Sequence, residues 1–360
     1  MKNTFGTSVC VTLFGESHGK YIGATLDGIA PGIEIDEAYI SDSLAKRRGD
    51  ADVSTSRSET DEFIIVSGAY DGKTTGTPLT VLIPNSDVKP GDYTYGTARP
   101  SHADFTGFSK YHGYEDYRGG GHFSGRLTAA LVAVGAIVRR ALMNKNIFVG
   151  THILQCGEAF DRVFDRFDED ISALAGMTFP VLDGSAAESV RAEIIASREA
   201  SDSIGGVLQT AVIGVPAGIG EPWFDTLEGQ IAHAVFSIPA VKGVEFGAGF
   251  ALGFMHGSEA NDAMRMVGGR VETVTNMSGG ICGGISNGMP IIFQSAFKPT
   301  PSIGKPQNTV NFINGTDADM MISGRHDPAV VCRAAPVIDA MTAIVIADVM
   351  AQRYGTDWLA

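Results

Sequence analysis

Apolar residues recur along this chain with two periods. Leu127, Leu131, Val134, Val138 and Leu142 step by four, three, four and four, the spacing that lines one face of an α-helix. Ala130, Ala133 and Ala136 beside them allow a close neighbour, and Ser124 offers an N-cap. Further helices are expected at 36–48, opening at Asp36 and stopping before Gly49, and at 186–199, 226–236 and 333–352. The last is apolar on nearly every side, which suits a core or a subunit interface. Apolar runs at 9–14, 63–66, 79–83, 206–215 and 289–297 read as strands, with another inside 242–255. The 63–66 and 79–83 strands flank the turn Asp71-Gly72-Lys73, and 216–222 reads as a Pro/Gly turn. The stretch 84–123 reads as one long loop whose aromatics and histidines suggest functional use, while 158–172 and 305–320 read as surface loops.

These elements follow one another without a composition break. One large mixed α+β domain over 1–360 is therefore expected, with helices sandwiched between sheets. Short connections favour antiparallel pairing. The 45 glycines show no period, so the chain is neither collagen-like nor of low complexity. A net charge of −14 argues against a general nucleic-acid binder, yet leaves room for a local basic pocket. The apolar stretch from Ala334 to Met350 is broken by Asp339 and Asp348, which argues against a membrane span. Met1 to Thr4 carries no secretory pattern. Cys10, Cys156, Cys282 and Cys332 are far apart and lack metal-ligand spacing. They read as buried free thiols in a reducing cytoplasm.

The chemistry gathers in five places. Phe14-Gly15-Glu16-Ser17-His18-Gly19 sets an imidazole between glycines at the end of a strand, where a proton donor is well placed. Arg99-Pro100-Ser101-His102-Ala103-Asp104 supplies a second histidine among charges. The run from Arg118 through Gly119-Gly120-Gly121 to Arg126 leads a glycine loop into a helix N-terminus, a favourable site for an anion. Asn276 to Gly288 is glycine-rich and precedes a strand that ends at Lys298-Pro299-Thr300-Pro301-Ser302. Arg325-His326-Asp327-Pro328 reads either as a helix start capped by Asp327 or as a carboxylate base held by an arginine. Lys46-Arg47-Arg48 suits the negative pole of its helix or serves as an anion clamp. Gly15 to Lys20 lacks the spacing and hydroxyl of a P-loop, no strand–GxGxxG–helix unit stands out, and no metal cluster is expected.

In this order the runs resemble the chorismate synthase family over nearly the whole chain. The resemblance rests on Gly15 to Gly19, Asp27-Gly28, Arg99 to Asp104, Tyr117 to Gly121, Phe236 to Gly247, Gly279 to Gly288, Ala296 to Ser302 and Arg325 to Pro328. It is the bacterial monofunctional type, since the long insertions of fungal bifunctional members are missing. The resemblance implies a β-α-β sandwich with central helices between antiparallel sheets. It implies an anti-1,4-elimination of phosphate from 5-enolpyruvylshikimate 3-phosphate to give chorismate, with reduced FMN and no net redox change. It also implies a cytoplasmic homotetramer served by an external flavin reductase or another NAD(P)H-dependent flavin supply, without nucleic-acid or membrane partners.

By the same resemblance His18 is the acid near the phosphate, His102 the acid for the reduced flavin, and Asp327 the carboxylate that assists deprotonation. Ser17, Arg47, Arg48, Arg126 and Arg325 are expected to bind substrate. Ser124, Gly125, Arg126, Pro239, Ala240, Asn276 and Gly279 are expected to bind the cofactor. Lys298, Pro299, Thr300, Pro301, Ser302 and Arg325 complete that set. The chain departs from many relatives at His122-Phe123-Ser124-Gly125-Arg126, where they have Arg-Ser-Ser-Ala-Arg, and at 49–53, where acids stand and Arg57 is the nearest substitute cation. The family's glutamate in the last helix is Asp339. Two rival readings remain open from residues alone. A flavin-dependent oxidoreductase would consume NAD(P)H in step with product, and a non-catalytic flavin or metabolite-binding module would bind without releasing phosphate.

Overall fold

The computed structural model describes residues 2–50, 53, 60–86, 93–322 and 327–360. Two five-stranded antiparallel sheets enclose a layer of helices. The first holds β1 (Thr4–Phe5), β2 (Cys10–Gly15), β3 (Tyr21–Asp27), β4 (Ile64–Ser67) and β7 (Leu79–Pro84) in the order β1-β2-β3-β7-β4. Two short strands, β5 (Ala69–Tyr70) and β6 (Lys73–Thr74), form the ribbon between β4 and β7. The second sheet holds β8 (Phe148–Cys156), β9 (Ala159–Phe160), β10 (Gly206–Ile213), β11 (Val241–Phe246) and β16 (Ile291–Phe297) in the order β11-β16-β10-β8-β9. Small ribbons β12–β13 (Met264–Val267, Arg270–Thr273), β14–β15 (Ile281–Cys282, Ile285–Ser286) and β17–β18 (Gln307–Asn311, Thr316–Met320) decorate it.

Between the sheets run α1 (Glu37–Arg48), α3 (Thr128–Asn144) and α8 (Val331–Tyr354). The α3 helix packs on β3 and β7 on one side and β8 on the other, while α8 lies on β8 and β10. The remaining helices, α2 (Asp104–Tyr111), α4 (Phe167–Leu174), α5 (Gly184–Glu199), α6 (Leu227–Val235) and α7 (Gly257–Ala260), lie around this layer. The fold is thus the α+β sandwich that the resemblance implied.

Local chemistry accounts for the elements. In β7 and β16 buried and half-buried residues alternate strictly, as a strand with one face on a core requires. Asp36 caps α1 by accepting from Tyr39 N–H at 2.9 Å. The α8 helix is buried nearly all round, and each of the two acids that interrupt its apolar run has a partner from another element. Asp348 accepts the backbone N–H groups of Thr7, Ser8 and Val9 at 3.0, 2.6 and 2.9 Å. Asp339 pairs with Arg139 at 3.1 Å. A buried charge is tolerable only with such company. The α3 segment and α8 are both long and apolar enough to cross a membrane, yet 72% and 94% of their most apolar windows are buried inside the fold.

Several readings change. The 84–123 loop contains α2 and a 3-10 turn over Arg118–Phe123. The polar 158–172 and 305–320 segments contain α4 and the β17–β18 ribbon. Asp327 does not cap the last helix, which begins at Val331 with Val330 at the cap. Cys156 and Cys332 are buried, but Cys282 is exposed and Cys10 partly so. The nine-residue β8 escaped notice because it is buried on both faces and its polar positions break the apolar pattern. Thr151 bonds Thr210 at 2.9 Å, and His152 bonds Asp161 at 2.9 Å.

The α3–α8 crossing is close because Gly135 faces Ala340: a Cβ on Gly135 would lie 2.4 Å from the Ala340 methyl and 2.8 Å from its Cα. Gly135→Val is expected to lower stability by about 1–3 kcal/mol. The check is the midpoint of denaturant unfolding, and an unchanged midpoint would contradict so tight a crossing.

Candidate functional site

The β2–β3 turn carries Ser17 and His18. Gly15 adopts φ +99, and Asn85 clamps the turn by donating from Nδ2 to the carbonyls of Glu16 and Gly19 at 2.9 and 2.8 Å. His18 is 8% exposed. Its Nδ1 lies 3.1 Å from Ser17 Oγ, which is 3.2 Å from the Arg118 carbonyl. A hydroxyl that donates to the carbonyl accepts from the imidazole, so this arrangement places a proton on Nδ1. The Tyr93 ring meets His18 edge-on at 5.2 Å.

The glycine run sets the second coordinate of the site. Gly119, Gly120 and Gly121 all have positive φ, at +61, +84 and +51. A Cβ on Gly119 would sit 2.3 Å from His18 Cε1, and one on Gly120 would sit 2.9 Å from His102 Cε1. Two imidazoles from distant segments therefore pack on consecutive residues of one loop. Ser17 N–H donates to the Gly121 carbonyl at 3.1 Å, which locks the β2–β3 turn to that loop.

His102 stands just before α2, whose first residue is Asp104. Asp104 Oδ1 accepts from His102 Nδ1 at 2.8 Å and from Arg99 Nη2 at 2.7 Å, while Oδ2 accepts from Arg99 Nε at 2.9 Å. Burial alone would raise this carboxyl, but the bonds from Arg99 and His102 outweigh it and hold it far below the usual carboxylate range. Asp104 thus stays ionised and orients the ring through Nδ1, so that Nε2 is the atom presented.

A cluster of arginines lies beside the turn. Arg47, at the end of α1, donates from Nε to Thr128 Oγ1 at 2.8 Å and from Nη2 to the Gly125 carbonyl at 2.9 Å. Arg126, capped by Ser124, donates from Nε to Asn85 Oδ1 at 3.1 Å and from Nη2 to the Pro84 carbonyl at 3.1 Å. Both guanidinium groups meet the buried carboxylate of Asp61. Arg48 donates to the Thr60 carbonyl at 2.5 Å. Arg333 on α8 pairs with Asp327 at 3.1 Å. Burial pushes the Asp327 carboxyl up, against the pull of Arg333 and Arg47.

Lys298 closes the same end of the second sheet. Its N–H donates to the Ala240 carbonyl at 3.0 Å, and its Nζ donates to the carbonyl of Ser101, next to His102, at 2.5 Å. Burial and the neighbouring Lys242 pull its amine down. Pro239 precedes Ala240, a non-glycine residue at φ +75. Pro299 packs against Gly205, and the Thr300 carbonyl accepts from Ser203 Oγ at 2.7 Å. Pro301 and Ser302 follow, partly buried. Ile204 N–H reaches the Pro328 carbonyl at 2.8 Å, which brings the Asp327 segment to this end.

Asn276 and Gly279 lie elsewhere. Asn276 Nδ2 donates to the Pro290 carbonyl at 2.8 Å and its Oδ1 accepts from Gly280 N–H at 2.7 Å. Gly279 is pressed against Gly247 and the Ile292 carbonyl. That is the start of β16, while Lys298 follows its end. A strand of this length separates the two by about 20 Å. Arg325, with Arg57, falls outside the described residues. His122, at a departure from the family's usual run, bonds the Gly15 carbonyl through Nδ1 at 2.9 Å, and Phe123 meets Tyr111 at 5.9 Å.

Sequence reasoning missed Asn85, Asp61, Lys242 and Arg333. For Arg333 a signal existed: it is a lone cation in the otherwise apolar first turns of α8. Asn85 and Asp61 gave none, because each acts through partners remote in sequence.

The model of the family described as Chorismate synthase matches residues 9–351. The chorismate synthase of Aeropyrum pernix is 45% identical over 355 residues, covering 98% of this chain and 93% of that protein. Its counterpart in Methanocella arvoryzae is 45% identical over 353 residues, covering 97% and 94%. A solved structure described as Crystal Structure of Chorismate Synthase superposes with a TM-score of 0.78 at 29% identity, covering 98% of this chain and 94% of the other. Fold and comparisons define a carbon–oxygen lyase that acts on a phosphate ester. The chain belongs to the chorismate synthase family.

Gly120→Ala forces a side chain into left-handed backbone and into the His102 ring. Displacing the His102 ring is expected to cut turnover at least about tenfold. Far-UV circular dichroism with a steady-state assay decides the matter, and full turnover in a folded variant would contradict the packing account.

Proposed function

We propose that this chain converts 5-enolpyruvylshikimate 3-phosphate to chorismate and inorganic phosphate in an anti-1,4-elimination that depends on reduced FMN. The single observation that carries the site reading is the packing of His18 and His102 on adjacent glycines, beside a cluster of arginines. In the reaction a carbon–oxygen bond to phosphate breaks, a ring C–H is lost as a proton, and the double bonds shift with no net oxidation.

The chain's own groups suit those demands. Arg47, Arg48, Arg126 and Arg325 would hold the anionic substrate, with Ser17 beside the leaving phosphate. His18 keeps one proton at Nδ1 against Ser17 Oγ and would deliver another from Nε2 to the departing phosphate. Cationic donors aimed at a leaving anion stabilise the charge that develops in the transition state. His102, its ring fixed through Nδ1 by Asp104, would act as the acid for the reduced flavin from Nε2. Asp327 is the carboxylate that would take up a proton.

The donor set at this end of the sheet fits FMN. Lys298 and Lys242 supply cations for a phosphate. Ser124, Gly125 and Arg126 stand at the entry to α3. Pro239, Ala240 and the run Pro299-Thr300-Pro301-Ser302 would complete the cofactor contacts. When bound, reduced flavin supplies electron density as phosphate departs. Asn276 and Gly279 would reach a flavin only across a subunit boundary, which fits a homotetramer. Exposed Trp223, Phe224, Phe250 and Phe254 supply apolar surface for such an assembly. We read residues 1–360 as one domain, because one connected core takes in residues from Val9 to Leu359. A cytoplasmic setting, with reduced flavin supplied by an external NAD(P)H-dependent reductase, completes the reading.

Purified protein incubated anaerobically with reduced FMN and 5-enolpyruvylshikimate 3-phosphate is expected to release phosphate and chorismate in equal amounts, without matching consumption of NAD(P)H. Absence of product at saturating ligand would sink the proposal. His18→Ala and His102→Ala are each expected to lower turnover by about 100- to 10,000-fold, with little change in melting temperature. Variants that both keep the full rate would remove the assigned roles.

A further inference from the structure

We propose that Arg333 is a positioning residue for Asp327: it grips one oxygen of the carboxylate, ties it to the arginine cluster, and leaves the other oxygen to take up a proton. This rests on the reading of Asp327 as the proton-accepting carboxylate. Three observations support it. Arg333 Nη1 lies 3.1 Å from Asp327 Oδ2. Arg333 Nε donates to the carbonyl of Arg47 at 3.2 Å. Asp327 Oδ1 is buried and has no hydrogen-bond partner among the described residues.

One guanidinium therefore joins three parts of the site. It sits in the first turns of α8, grips the carboxylate from the segment just before that helix, and fixes the end of α1 whose side chain meets Asp61. The planar fork of arginine can serve two acceptors in different directions at once, which a lysine ammonium does less well. The side chain is mostly shielded, at 24% exposure, so solvent weakens the pair only in part.

The groups that face Asp327, among the described residues, are Arg333 and Cys332 from α8, Arg47 from α1 and the backbone N–H of Ala329. Cys332 in turn faces Cys156, Arg191 and Asp50, and the last two pair at 2.6 Å. Burial favours the neutral carboxyl, and the two arginines oppose it. A base must be ionised to accept a proton. Removing Arg333 leaves burial less opposed, so the carboxyl ionises only at higher pH and activity on the acid side is lost earlier. An opposite charge at this range commonly moves a carboxyl by about one to three pH units.

The test compares pH profiles of kcat/KM for the full-length protein with reduced FMN. Arg333→Gln is expected to move the acid limb upward by about one unit or more, with most of the rate recovered at high pH. Arg333→Lys keeps the charge and is expected to move the limb by about half as much; it also serves as the informative variant should the glutamine form not fold. A purely structural role would instead scale the rate down equally at every pH, and that result, or an unmoved limb in both variants, would overturn the inference. Asp327→Asn separates the two layers. A full rate in Asp327→Asn would overturn the Asp327 reading itself. A collapsed rate there, with an unmoved limb in the Arg333 variants, would overturn only the role given to Arg333.

Discussion

Contact between two imidazole rings and one glycine loop fixes the geometry on which the site depends. His18 arrives on the β2–β3 turn and His102 on the approach to α2, yet both rings rest on consecutive residues, Gly119 and Gly120. Three successive glycines at positive φ make this possible. An L-residue would pay roughly 1–2 kcal/mol at each such position, and at two of the three its Cβ would also enter an imidazole. The glycines are therefore spacers whose lack of side chain defines how far apart the two imidazole rings stand. Ser17, bonded to the Gly121 carbonyl, makes turn and loop a single unit.

Charge compensation fixes the rest. The chain is acidic overall, at −14, but cations gather where α1 ends, where α3 begins and where α8 begins. Asp61 lies between Arg47 and Arg126, and Asp327 against Arg333. Buried ion pairs add little net stability. Their effect here is on position, since each carboxylate holds long side chains in one arrangement. Among the described residues, these two carboxylates stand against the guanidinium groups of Arg47, Arg126 and Arg333. Asn85 couples the two systems, with its amide nitrogen on the His18 turn and its oxygen on Arg126.

Among the helices legible in sequence, α3 shows an apolar face, α8 a long apolar run, and α1 end signals at Asp36 and Gly49. Short or polar elements such as α2 and α4 were not legible, because they contribute few apolar positions. The β8 strand was hidden by Thr151 and His152, whose polar groups are satisfied by neighbours that only the folded sheet supplies. Glycine-rich motifs read alike in sequence, yet 119–121 faces the two histidines while 279–284 lies at the opposite end of β16.

Sequence by itself determined the kinds of chemistry present and the local elements, since periodicity and caps act over one or two turns. The family resemblance, too, came from short runs in order. Only the tertiary structure decided which groups meet. Arg333 reaches Arg47 across 286 positions, Asp348 reaches Thr7 across 341, and Ser17 reaches Arg118 across 101. The first two follow from α8 lying between the two sheets and the third from the glycine loop meeting the β2–β3 turn, and no local pattern encodes a partner that far away. The charges that oppose burial of Asp327, and the glycines that space the imidazoles, meet their partners only in the folded chain.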